Sequence, residues 1–209
     1  MVETHRVRLP NKNEQPKKIM ELHQNKYRTE STRLKEWDYS NPWWYYVTIN
    51  TKDHKEFFGE IINGSMILNK IGQLVEEEWT KTKLLRSNID LDYYVIMPNH
   101  IHGIIIINPK VETTGSVVSN KTIQNTETTQ RVVSTTLKPD SLGSIIGQFK
   151  SISTKRIRSI GKNNFAWQSR FYDRIIRNEK ELFNIRKYIE QNPLKWEFEK
   201  NDSKNIYDM

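Results

Sequence analysis

The sequence predicts an α+β fold, a ferredoxin-like antiparallel sheet with helices packed on one face. Three observations carry this. Stretches rich in β-branched and aromatic residues, Trp43 to Ile49 and Asp92 to Ile107, have the composition of strands. Other stretches repeat apolar residues at helical spacing. Their order is strand, hairpin, helix, two strands, helix, strand, helix, which packs naturally as one sheet with a helical layer. A chain of 209 residues suits one domain with appendages and can bury a core without disulfides.

Residues 1–40 are polar, charged and weakly periodic, and read as an N-terminal arm to a domain spanning 41–198. The run Trp43-Trp44-Tyr45-Tyr46-Val47-Thr48-Ile49 opens the domain as a strand. Between Phe57 and Leu68, Asn63-Gly64 separates two short apolar runs and signals a hairpin. Ile67, Ile71, Leu74, Val75 and Trp79 predict a helix reaching about Leu84. Asp92–Met97 and Ile101–Ile107 read as adjacent strands, with Pro98-Asn99 between them. Residues 111–137 hold 11 Ser/Thr and no aromatic, and read as a flexible insertion. Ser141 is a natural N-cap for a helix carrying Leu142, Ile145, Ile146, Phe149 and Ile152. Phe171 to Ile176 reads as a short strand. Glu179 or Glu181 opens a last helix with Leu182, Ile185 and Ile189 on one face, which Pro193 is expected to end. Residues 199–209 are left as a tail.

Composition narrows the chemistry. The absence of cysteine excludes thiolate zinc sites and cysteine nucleophiles and fits a reducing cytoplasm. The polar N-terminus shows no secretory signal, and the longest apolar run, Ile104 to Ile107, is too short to span a membrane. The net charge is +8, and residues 138–200 carry 14 Lys/Arg against 7 Asp/Glu. Phe149, Phe165, Trp167, Phe171, Tyr172 and Trp196 are interleaved with those cations. Cations for phosphates and rings for bases suit a single-stranded nucleic acid. Composition alone favours a domain with a merely basic surface.

Two clusters point to chemistry. His100 and His102 flank Ile101 within an apolar strand, so both imidazoles leave one face. Neutral imidazole is the commonest side-chain metal ligand, and two on a rigid strand make half of a divalent-metal site. On the last helix, Tyr188 and Asn192 are four residues apart and leave side by side. A phenol is a weak nucleophile at neutral pH, since it holds its proton to about pH 10, and needs a nearby cation to act. Lys187, Arg186 or a metal could supply it. Tyrosine attack on a DNA phosphate retains the phosphodiester energy, so rejoining needs no nucleotide cofactor.

The motif Met97-Pro98-Asn99-His100-Ile101-His102-Gly103 resembles the HUH motif (His, hydrophobic, His) of single-tyrosine transposases. The block from Phe165 to Asn178 resembles the corresponding segment of the REP-associated tyrosine transposases. Tyr188-Ile189-Glu190-Gln191-Asn192-Pro193 resembles their catalytic helix. The resemblance covers Trp43 to Trp196 apart from the insertion. It implies the HUH endonuclease fold and a Mg²⁺ or Mn²⁺ site at His100 and His102, with Asn192 or the adjacent Gln191 as third ligand and Tyr188 as nucleophile. It implies cleavage and rejoining of single-stranded DNA, through a 5′-phosphotyrosine, at hairpin-forming or repeat ends near the nucleoid. Lys187 is a candidate phosphate contact; Arg170, Arg174 and Arg177 read as phosphate contacts or as a solvated strand edge, and Trp167 as a stacking ring or as a core plug. Lys150, Lys155, Arg156 and Arg158 read as a solvated helix face. The alternative is a non-catalytic nucleic-acid-binding module derived from such an enzyme. Monomer and homodimer both remain open.

Overall fold

A computed structural model describes residues 22–23, 26–27, 33–34, 36–110 and 138–207. The expected insertion at 111–137 and most of the expected N-terminal arm lie outside the described residues. The chain divides into two compact units, residues 1–32 and 33–209. In the first, β1 (Leu22–His23) pairs antiparallel with β2 (Lys26–Tyr27).

The second unit contains β3 (Trp43–Asn50), the hairpin β4 (Gly59–Ile62) and β5 (Ser65–Leu68), and α1 (Lys70–Lys81). Then follow β6 (Ile89–Ile96), β7 (His100–Ile107), α2 (Leu142–Ser159), β8 (Tyr172–Ile175) and α3 (Glu179–Tyr207). The main sheet runs β6-β7-β3-β8, antiparallel throughout. Each helical crossover skips one strand position, as the ferredoxin-like expectation requires. Asn63 (φ 50) and Gly64 (φ 70) both take positive φ in the β4–β5 turn, the two-residue geometry that matches strand twist.

Alternation along β3 sorts two faces. Tyr45, Val47 and Ile49 join Ile101 and Ile105 of β7 under α1 and α2, which contribute Val75, Trp79, Leu142, Ile145, Ile146 and Phe149. Gly103 sits where the Trp79 indole lies against the sheet, and a Cβ there would come 2.4 Å from Trp79 Cζ2. Trp37 and Tyr39 pack against the same cluster.

Two of the three helices occupy the expected face. α3 takes the other, burying Leu182 and Ile189 against Tyr46 and Ile104. The strands alternate apolar residues toward both sides, so each face demands cover. α3 also continues through Pro193 to Tyr207, where an end at the proline and a separate tail are predicted. The proline forfeits the bond from its own nitrogen to the Ile189 carbonyl. Tertiary contacts beyond it hold the helix on course: Leu194 packs on Gly64, and the Gly64 N–H donates to Glu197 Oε2 at 2.7 Å. α1 starts at Lys70 because the Asn69 side chain accepts from the Ile71 and Gly72 N–H groups, which leaves Ile67 in β5. It stops at Lys81, short of Leu84.

Candidate active site

His100 and His102 open β7 on the face that α3 covers. Both are buried, at 9% and 5% exposure, and their Nε2 atoms lie 3.0 Å apart. His100 Nδ1 is 2.6 Å from Asn99 Oδ1. The Asn99 Nδ2 donates to the His54 carbonyl at 2.9 Å, so the amide oxygen is the atom that faces His100. His102 Nδ1 lies 2.7 Å from the Tyr46 hydroxyl and 3.0 Å from Thr48 Oγ1. Thr48 stands directly opposite His102 in the β3–β7 register. Burial lowers the His100 pKa to about 4 and, reinforced by His100, that of His102 to about 3. Both rings are therefore neutral at pH 7, the form in which imidazole offers a lone pair. Burial pushes the Tyr46 phenol up, so it remains a hydroxyl.

α3 crosses this pair with a stripe one turn apart, Tyr188, Asn192 and Trp196. The Tyr188 ring meets the His102 ring at a 5.2 Å centroid distance, edge to face, and the Tyr46 ring at 6.4 Å. Trp196 meets His100 at 5.6 Å. Tyr188 remains 42% exposed and can reach an external substrate. Asn192, between the two aromatics, is buried, whereas Gln191 is exposed.

These residues fit a divalent cation. Two neighbouring ligands of an octahedral ion with bonds of about 2.1 Å stand about 3.0 Å apart, and the two Nε2 atoms have that separation. The buried Asn192 lies on α3 one helix turn from Tyr188. Among the described residues no group of three His, Cys, Asp or Glu side chains converges.

The remaining expectations divide. Arg174, on β8 opposite Tyr46, shares the histidine face and pairs with Glu181. Arg177 lines a groove of about 570 Å³ with Trp43, Trp44 and Leu182. Lys187 is exposed beside Tyr188. Arg170 precedes β8 in a loop whose carbonyls at Gln168 and Arg170 accept from Lys150 Nζ at 2.7 and 3.0 Å. Lys150 is thus tied to that loop rather than solvated, and burial lowers its pKa to about 8. Trp167 is not a stacking platform. It is buried among Phe58, Phe149 and Phe165 on the opposite face, and its Nε1 donates to Ser153 Oγ at 3.0 Å. Tyr46, Thr48 and Asn99 were not anticipated. Strand alternation from Tyr45 would have put the first two on the face opposite the aliphatic core, and Asn99 abuts the motif.

No family model matches the chain. An uncharacterized protein of Haemophilus influenzae is 36% identical over 167 residues, covering 80% of this chain and 89% of that protein. The two belong to one family. Among solved structures, the chain is similar to a REP-associated tyrosine transposase bound to a REP hairpin, with 20% identity, 80% of this chain and 74% of that chain covered, and a TM-score of 0.49. It is also similar to a Deinococcus radiodurans protein assigned as a transposase, with 10% identity, 78% and 95% covered, and a TM-score of 0.41. The family relation to the Haemophilus protein spans most of both chains. No helix among the described residues is long and apolar enough to cross a membrane.

Proposed function

We propose that this chain is a metal-dependent tyrosine transposase that cuts and rejoins single-stranded DNA. The observation that carries the reading is the packing of Tyr188 against His102, with the buried Asn192 one helical turn on. Residues far apart in sequence, which resemble separate blocks of one transposase pattern, meet in one site. His100, His102 and Asn192 would hold Mg²⁺ or Mn²⁺, whose charge would neutralise a phosphate oxygen and steady the departing sugar oxygen.

The chain's own residues supply the rest. The Tyr188 hydroxyl oxygen forms a bond to phosphorus as the bond to the 3′ sugar oxygen breaks. The products are a 5′-phosphotyrosine and a free 3′ hydroxyl, the proton lost by the phenol being matched, through solvent, by the one the departing 3′ oxygen takes up. Rejoining reverses these steps when a 3′ hydroxyl attacks the phosphotyrosine. The edge-to-face contact with His102 restricts the Tyr188 ring, a proximity contribution to the rate. Arg174, Arg177 and Lys187 supply cations for the strand's phosphates. Hairpin-forming repeat ends are the substrate that the motif resemblance favours, encountered on chromosomal DNA in the cytoplasm.

The test uses labelled single strands flanking the gene, incubated with Mn²⁺ or EDTA and resolved on a denaturing gel. A Mn²⁺-dependent covalent adduct is expected with the wild type and none with Tyr188→Phe. Tight binding without adduct would instead favour the non-catalytic module.

A further inference from the structure

Resting on the reading of His100 and His102 as cation ligands, we propose that Asn99 and the Tyr46–Thr48 hydroxyl pair are positioning residues that set the histidine tautomers. Asn99 locks His100, whereas the hydroxyls let His102 take either form.

The His100 case follows from donor accounting. The His54 carbonyl can only accept, so Asn99 presents Nδ2 to it and Oδ1 to His100. An amide oxygen only accepts, so His100 carries its proton on Nδ1 and keeps a lone pair on Nε2. The support behind Asn99 is firm. The Thr51 N–H donates to the Asn99 carbonyl at 2.9 Å, and the Phe57 and Phe58 N–H groups donate to the Pro98 carbonyl at 2.9 and 3.1 Å. Asp53 (φ 57) and His54 (φ 52) both hold positive φ to deliver the His54 carbonyl. Consecutive non-glycine residues in that region are strained, and such strain gathers at functional sites.

His102 differs because its Nδ1 faces hydroxyls, which donate or accept. In one arrangement Thr48 Oγ1 donates to the Tyr46 oxygen at 3.2 Å, Tyr46 donates to Nδ1, and His102 Nε2–H donates to His100 Nε2. In the other, Nδ1–H donates to the hydroxyls, and both Nε2 atoms offer lone pairs across 3.0 Å. A cation can be shared only in the second. Loss of the His102 proton from Nε2 to solvent and gain of one at Nδ1, with the two hydroxyls turning to accept it, therefore changes the pair from a closed hydrogen bond to a bidentate ligand, with no movement of heavy atoms. Outer partners of this kind typically contribute 10–100-fold to metal affinity.

The test reads the tautomers directly, by long-range ¹H–¹⁵N NMR of the histidine ring nitrogens in the full chain, alongside Mn²⁺ affinity by EPR. Wild-type His100 is expected to show the Nδ1–H pattern. Asn99→Ala should lose it and weaken Mn²⁺ about 10–100-fold. Asn99→Asp keeps an acceptor for His100 but loses the donor to His54, and should keep the pattern. A merely structural role for Asn99 predicts that both variants fail alike. Tyr46→Phe combined with Thr48→Val should leave His100 unchanged and alter only His102. The inference is overturned if folded Asn99→Ala retains the Nδ1–H signature, or if Asn99→Asp loses it. Because the ring spectra need neither metal nor DNA, a wild type that forms no adduct would count against the proposed function and leave this result standing.

Discussion

The α1–α2 face of the sheet and the α3 face are fed by alternate residues of the same strands, yet they are built differently. Under α1 and α2 lie Tyr45, Val47, Ile49, Trp79, Ile101 and Ile105, closely packed and almost wholly apolar. Under α3 the apolar cluster is small, and imidazoles, hydroxyls and an amide fill the space beside it. The first face carries the stability and the second spends some of it. A β-strand serves both purposes because its period of two keeps the faces independent.

The largest contrast should come from one substitution on each face. Tyr188→Phe is expected to reduce covalent DNA joining about 10³-fold or more, while thermal unfolding stays at the wild-type temperature because the ring keeps its contacts. Trp79→Ala should do the reverse, costing about 3–5 kcal/mol in denaturant unfolding. Trp79→Phe should cost far less than Trp79→Ala, because the buried indole N–H has no partner to lose. Equal losses of stability from Tyr188→Phe and Trp79→Ala would erase the distinction between the faces.

Next in size is a pH effect confined to the α3 face. The folded chain resists protonating His100 until about pH 4 and His102 until about pH 3, whereas an unfolded imidazole takes its proton near 6.5. The unfolded chain therefore binds more protons as pH falls below 6.5, and stability drops through that window, by about 2 kcal/mol per imidazole at pH 5. Well above pH 6.5 these groups contribute no slope. His102→Ala should flatten the decline between pH 6.5 and 4 in urea titrations. Retention of the full slope would place the proton uptake elsewhere. The smallest effect is local to the apolar face: Asn69→Ala, which removes the α1 cap, should cost about 1 kcal/mol.

What was legible in the sequence followed local rules. Asn63-Gly64 makes its turn, Ser141 caps α2 with its Oγ accepting from the Ser144 N–H, and His100 and His102 share a face because strands alternate. What was not legible depended on partners distant along the chain. Pro193 reads as a stop until Gly64 and Glu197 are seen holding the helix beyond it. Trp167 reads equally as a stacking ring or as a core plug until Ser153 and three phenyl rings surround it. Lys150 reads as solvated until the loop carbonyls before β8 claim it. The hydroxyls at Tyr46 and Thr48 were hidden because a strand's second face cannot be assigned a role before its cover is known.

One feature of β7 bears on how such a protein can change over time. The histidines begin the strand, and the chain leaves it at Ile107, about 23 Å further along. There Lys110 Nζ meets Asp140 Oδ2 at 2.8 Å, so an ion pair joins the two ends of the 111–137 segment. A segment whose ends already meet can be lengthened at little thermodynamic cost, about 0.6 kcal/mol per doubling. Insertions, tags or whole reporter domains are expected to be tolerated at that point, a prediction that thermal unfolding of such variants would check. The fold thus leaves a port for novelty at the end of the strand remote from its reactive groups.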